Sequence, residues 1–246
     1  MLLIHLKSLL SFQFYHRLVQ LNRWYTAGFV LYLFLLSIII LFFYMGAQLH
    51  TYLPVFLKNF PQVTFSNGVL TQPTSAVSAP IPNTDFKIVF DAQAKVPPSS
   101  EELIKNNTIA WVHNNQIYVP SNTGLQIQQL PKNLNFTSDQ PTLQKHQKTL
   151  LFSLRITSLI ISIFFVGVLL VYSYILALAV CLFFNFLRGW PLSRRTLIKL
   201  SAFLLGPLTT LFLIRLWVPI PLFSLAQVVL CIIYTQQIFN TIPENA

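Results

Sequence analysis

The chain has 246 residues, 54% of them hydrophobic and only 9% charged, with a mean hydropathy of +0.61. A soluble domain carries about 25% charged residues, so this composition excludes a fold that meets water on every side. The formal net charge of +10 comes from 16 Lys and Arg against 6 Asp and Glu. These cations do not form the continuous basic face that nucleic-acid readout needs, so no nucleic-acid partner is expected.

The cations are sorted by segment instead. Lys7, Arg17 and Arg23 precede the first apolar run, and Arg188, Arg194, Arg195 and Lys199 share one short stretch. Five of the six acids (Asp85, Asp91, Glu101, Glu102 and Asp139) lie in the polar middle of the chain. Membrane proteins encode orientation in this way, with Lys and Arg kept on the cytoplasmic side.

Residues 1–23 read as one amphipathic helix. Leu3, Leu6, Leu10, Phe14, Leu18 and Leu21 fall along a broad stripe, with His16, Arg17 and Gln20 on another face. Such a helix lies in the cytoplasmic interface or packs on the cytoplasmic end of the bundle. Residues 24–48 form the first span; at roughly 1.5 Å per residue they cross a hydrocarbon core of about 30 Å. Trp24 and Tyr25 mark one interface and Tyr44 approaches the other, and no A-x-A-like cleavage site follows.

Residues 49–149 form a small, mostly β domain, although ten of the 15 prolines fall between Leu53 and Leu150. "PQVTFSNGVLTQ" alternates Val63 and Phe65 with polar neighbours and turns at Asn67-Gly68, a favoured hairpin pair. "SAVSAPIPN" reads as an extended connector, "FKIVFDA" as a strand, and "TIAWVHNNQIYVP" as a second hairpin turning at Asn114-Asn115. In that second hairpin Ile109, Trp111 and His113 share a face, and "GLQIQQL" adds one more strand. Ser99 or Ser100 followed by Glu101-Glu102 is a helix-capping signature for one short helix. About five strands and one helix bury a modest core, so such a domain leans on the membrane surface or on a partner.

Residues 150–187 contain an uncharged stretch, Ile156 to Leu187, of 32 residues. One straight helix overshoots the bilayer, while two spans need roughly 40 residues. Two spans would also strand the loop 188–195 and Lys199 on the side of the polar domain, so charge favours one long helix. Residues 196–217 and 221–240 form the last two spans, joined by a short turn containing Pro219, with Pro221 in the first turn of the final helix. The expected fold is therefore an α+β membrane protein. A four-span helical bundle carries an extracytoplasmic β domain between spans one and two, with both termini cytoplasmic in an inner membrane.

The ordered set of a first span, an Asn-Gly hairpin, "KIVFDA", "IAWVHNNQIYV", a long span, a basic loop and two final spans carries a resemblance. It resembles an uncharacterised bacterial membrane family of the domain-of-unknown-function type, number 1189. That family is in turn similar to the Yip1-like helical bundle, in which a proline interrupts a span; Gly206-Pro207 in "SAFLLGPLTTLFLI" is the matching element. The resemblance implies this architecture, with the β domain inserted, and implies no activity. It also implies Thr after Asp91, where this chain has Ala92.

Residues able to carry chemistry are few. The five histidines have no second His, Cys or acid at ligand spacing, only seven glycines occur, and no Gly-rich phosphate loop or G-x-S-x-G is found. No metal, cofactor or catalytic residue is therefore expected, and Cys181 and Cys231 read as small buried hydrophobes. Asp91 and Asp85 flank a strand and Glu101-Glu102 sit together; a carboxylate pair could serve acid–base work, although solvated surface acids are the ordinary reading. Arg155 and Arg215 sit near the outer ends of their spans, where they snorkel to headgroups or, on the same side, grip an anionic lipid phosphate or a carboxylate of the outer domain. Asn185 and Gln227 are placed for helix–helix hydrogen bonds. Gly206 and Pro207 break the third span, either as a packing kink or as a site of the transporter kind.

Two functional readings follow. One is a non-enzymatic interaction, scaffold or sensing module anchored in the lipid bilayer, whose residues 53–148 contact an envelope or membrane protein. The other is a transporter or lipid-handling protein that uses the Gly206-Pro207 break.

Overall fold

The structure is a computed structural model that describes residues 1–94, 98–189, 192–218 and 220–241. Pro219 of the expected outer turn, and residues 190 and 191 of the basic loop, lie outside the described residues. In chain order the elements are α1 (Leu2–Leu10), α2 (Phe14–Gln20), α3 (Arg23–Lys58), β1 (Thr64–Ser66), β2 (Val69–Gln72), β3 (Val77–Pro80) and β4 (Lys87–Phe90). They continue with α4 (Ser100–Lys105), β5 (Thr108–His113), β6 (Gln116–Ser121), β7 (Gly124–Gln129), β8 (Phe136–Thr137), α5 (Gln140–Leu187), α6 (Arg194–Arg215) and α7 (Phe223–Thr241). Contacts divide the chain into a helical unit, Met1–Gly46 with Ile156–Ala246, and a second unit, Ala47–Arg155. Four helices (α3, α5, α6 and α7) are long and apolar enough to cross a membrane.

In the helical unit α6 is the hub: 72% of its most apolar stretch is buried in protein, against 28% for α3, 22% for α5 and 33% for α7. Its sequence explains this. Ser201, Ala202, Gly206 and Thr209 are small and buried, and small residues let neighbouring helices approach closely. Ser201 satisfies its own hydroxyl by donating to the Leu197 carbonyl at 2.8 Å. Around α6 gather Phe29 and Leu33 of α3, Ala177 and Cys181 of α5, and Cys231, Ile238 and Phe239 of α7, all buried. Both cysteines are free thiols inside this core.

The N-terminal segment differs from the single helix read from the sequence. It forms two helices, α1 and α2, broken at Ser11, which takes an extended conformation. Both pack on α6. Tyr15 and Leu18 of α2 are fully buried there, because a broken segment can direct two different faces at the same hub where one straight helix presents a single stripe.

The basic residues meet at one end of this unit. Lys199 donates its ammonium to the carbonyls of Val19 (3.0 Å) and Leu21 (2.6 Å), closing the C-terminus of α2. Arg188 donates to the Phe239 carbonyl (2.7 Å) and to the Asn240 side chain, closing the C-terminus of α7. Cations at helix C-termini satisfy orphan carbonyls and oppose the helix dipole. The start of α3, the end of α5, the start of α6 and the end of α7 therefore share an end rich in cations.

In the second unit two sheets form. The smaller has the order β2-β1-β8 and the larger β3-β4-β5-β6-β7. Asn67-Gly68 turns the first hairpin with φ of 50° and 77°, the left-handed pair a tight turn needs. A Cβ on Gly68 would also strike the Pro131 carbonyl oxygen. Asn114, at φ 49°, turns the second hairpin. Strands β4 and β5 are parallel, a pairing that requires a crossover, and α4 supplies it. Ser99 caps α4 reciprocally: its hydroxyl accepts from the Glu102 amide (3.2 Å) while the Glu102 carboxylate accepts from the Ser99 amide (3.0 Å).

Three expectations change here. "SAVSAPIPN" is partly the edge strand β3, paired to β4 from Val77↔Phe90 to Pro80↔Lys87; its proline sits at the strand end, where an edge tolerates it. Ile109 is exposed while Thr108, Trp111 and Val112 are buried. Central strand β5 is covered on both faces, with Trp111 packed beside Leu103 of α4 and Val112 in the opposite cluster. Lastly, α3 runs through Pro54 to Lys58 and α5 begins at Gln140, so both helices extend about ten residues into the stretch read as β domain. The long apolar stretch after residue 150 lies within one continuous helix.

Candidate functional site

Pro207 has no amide hydrogen and cannot donate to the Phe203 carbonyl one turn earlier, so α6 is weakened at its middle. The preceding Gly206 is where the chain crowds most. A Cβ there would lie 2.8 Å from the Ser8 hydroxyl, 3.3 Å from the Phe29 ring and 3.5 Å from His5. Glycine is needed at 206 because α1 presses against the break.

The residues that press are polar. His5 Nε2 lies 2.9 Å from the Thr210 hydroxyl and 3.3 Å from the Gly206 carbonyl. The Thr210 hydroxyl itself donates to that carbonyl at 2.9 Å, so its oxygen is left as an acceptor, and donor bookkeeping places the imidazole hydrogen on Nε2. Phe29 and Tyr32 meet the ring edge-on at 6.2 and 5.8 Å. With Nε2 donating, the neutral imidazole fits the site. Ser8 donates to the His5 carbonyl at 2.7 Å and its own carbonyl accepts from the Tyr15 hydroxyl at 3.1 Å. Tyr234 donates to the Leu9 carbonyl at 2.9 Å. Thus α1 is held against the bundle by hydrogen bonds on a polar face, while Leu2, Leu3, Leu6 and Leu10 point outward, 47–84% exposed.

Of the residues singled out from the sequence, Gly206 and Pro207 lie at this seam and the others lie elsewhere. Gln227 is buried on α7, and its amide nitrogen has no partner among the described residues. Asn185 accepts from the Leu192 amide at 3.1 Å and closes the α5–α6 connection. Arg215 stacks over Phe223, its guanidinium 4.4 Å from the ring centre. Arg155 bonds to His50 within the second unit. Asp91 is a turn-former: its carboxylate accepts from the amides of Gln93 and Ala94, both at 3.0 Å, and its carbonyl meets His113 Nδ1 at 2.7 Å.

In the sequence His5 counts only as one of five histidines without ligand spacing, and Ser8 does not stand out. Their signal was present, as two hydrogen-bonding residues three apart in an otherwise leucine-rich helix, but a hydrophobic stripe is ordinarily assigned to the protein core. Among the described residues no three His, Cys, Asp or Glu side chains gather where they could hold a metal ion.

Four helices able to cross a membrane, joined to a unit with two sheets, define the class as an α+β membrane protein. The chain belongs to the family described as "Protein of unknown function (DUF1189)", whose sequence model matches residues 5–238. No curated protein and no solved structure matches it.

Proposed function

We propose that this protein is a non-enzymatic interaction module, multi-pass in an inner membrane, whose extracytoplasmic β unit holds an extended segment of an envelope or membrane protein. The observation that carries the reading is the outer edge of the larger sheet. β7 ends the strand order and offers six residues, Gly124 to Gln129, with no proline and no charge, and with Ile127 58% exposed. Soluble proteins usually blunt such an edge with Lys, Pro or a bulge, because its unpaired amides and carbonyls template strand addition. An edge left open suits β-augmentation by a peptide partner.

Orientation is supported by the cation-rich end of the helical unit, where Arg23, Arg188, Arg195 and Lys199 sit beside the termini of four apolar helices. The positive-inside rule assigns that end to the cytoplasm. Residues 47–155 leave from the other ends of α3 and α5 and so belong outside. Pro207 within α6 suits a Yip1-like bundle. Transport or lipid handling through the break is the less favoured reading, because the space at Gly206 is filled by Ser8, Phe29 and His5.

The test is a photo-crosslinker placed at Gln128 in the full chain in intact cells. A discrete adduct is expected that is absent with the crosslinker at Lys105 on α4 and abolished by Ile127→Lys. Adducts of equal yield from both positions, or an adduct indifferent to Ile127→Lys, would rule out strand addition.

A further inference from the structure

We infer that α1 and α2 form a re-entrant segment that dips into the membrane from its cation-rich face, with the leucine face of α1 bathed in lipid acyl chains. The argument begins with depth. Gly206 lies twelve residues into the 22-residue α6, roughly 18 Å from its basic end at about 1.5 Å per residue. Tyr32 lies nine residues into α3, roughly 14 Å from the same end. His5 touches both residues, so two helices measured independently place its ring near the middle of a hydrocarbon core about 30 Å thick. On the far side of α1, Leu9 meets Tyr234, seven residues before the end of α7, roughly 10 Å from that end. His5 and Leu9 therefore both lie below headgroup depth.

The second strand of the argument is the direction of the faces. In water a short helix buries its leucines and exposes His and Ser. Here His5 is 6% exposed and Ser8 is fully buried, while Leu2, Leu3, Leu6 and Leu10 are outward. That inversion is stable where the surroundings are hydrocarbon: the polar groups must find partners in protein, and His5, Ser8, Leu9 and Tyr15 do. The one charged residue of α1, Lys7, sets its ammonium 5.4 Å from the centre of the Phe14 ring, a face that attracts a cation. The return helix α2 is closed by Lys199 at the basic end, where a re-entrant segment has to come back to water.

Nitroxide labels read by power saturation test it. The full chain, with Cys181→Ala and Cys231→Ala, is placed in vesicles of phosphatidylcholine and phosphatidylglycerol and labelled singly at Leu3→Cys, Leu6→Cys or Leu10→Cys. Leu31→Cys on α3 serves as a hydrocarbon reference, Trp24→Cys as an interface reference and Asn133→Cys as an aqueous one. The labels on α1 should match Leu31 in depth, with oxygen accessibility several-fold above that of a water-soluble nickel chelate. Depths equal to those at Trp24 or Asn133 would overturn the inference. Low accessibility to both reagents would overturn it too, since a second protein chain would then cover the leucines. Labels at three separate positions guard against one variant that folds poorly: misfolding of one variant alters that label alone, whereas aqueous or interfacial depth at all three, with the Leu31 reference still deep, overturns the inference.

Discussion

Replacing Gly206 by alanine puts the docking of α1 under direct strain. At an ordinary mid-helix glycine the change adds stability, roughly 0.5–1 kcal/mol, by restricting the unfolded chain. At 206 the added methyl would meet the Ser8 hydroxyl at 2.8 Å and the Phe29 ring at 3.3 Å. Overpacking of this kind costs about 1–3 kcal/mol, so a net loss of about 1–2 kcal/mol is expected. Gly46 supplies the contrast, since nothing lies within 4 Å of a Cβ there; Gly46→Ala should gain the roughly 0.5–1 kcal/mol that helix propensity gives. Ser8→Ala removes the nearest atom, and combining it with Gly206→Ala should recover about 1 kcal/mol of the loss as a coupling energy. Unfolding of the four variants in detergent, followed by tryptophan fluorescence, supplies the numbers. If Gly206→Ala stabilises as much as Gly46→Ala, and does so whatever residue occupies position 8, α1 does not dock at the break.

Other substitutions test separate contacts. Lys199→Met keeps the apolar stem but leaves the Val19 and Leu21 carbonyls without their cation; charge-assisted bonds of this kind contribute about 1.5–3 kcal/mol each at most, so loss of up to a few kcal/mol and faster proteolysis within residues 1–22 are expected. Gly68→Ala, at φ 77° and facing the Pro131 carbonyl, should destabilise the second unit by about 1–3 kcal/mol, detected as earlier loss of protease resistance in residues 47–155. Asp91→Asn retains an acceptor for the Gln93 and Ala94 amides and should fold like wild type, whereas Asp91→Ala should lose about 1–2 kcal/mol. Equal behaviour of those two variants would deny Asp91 its turn-forming role.

The sequence was most legible where one local rule decided the outcome. Asn67-Gly68 admits left-handed backbone, Ser99 and Glu102 complete a reciprocal cap, and four long apolar runs have few ways to fold. It was least legible where distant segments decide. Helix α3 runs on to Lys58 because nothing before Asn59 halts it decisively and Pro54 is tolerated near its end, while the composition around Pro54 already looks like loop. Strand β3 is polar and proline-bounded, and becomes a strand only because β4 offers it an edge. The seam at Gly206 needs His5, about two hundred residues away, and no periodicity within either segment announces that meeting. The leucines of α1 left two placements open, the membrane interface or the end of the bundle, because a hydrophobic stripe marks only the face that avoids water.

Sidedness is the claim from which the functional proposal descends, and cysteine accessibility measures it. In cells expressing the full chain with Cys181→Ala and Cys231→Ala, a membrane-impermeant maleimide should label Asn133→Cys without lysis and Ser193→Cys only after the membrane is opened. Labelling of Ser193→Cys in intact cells, with Asn133→Cys protected until lysis, would invert the arrangement and remove the extracytoplasmic partner with it.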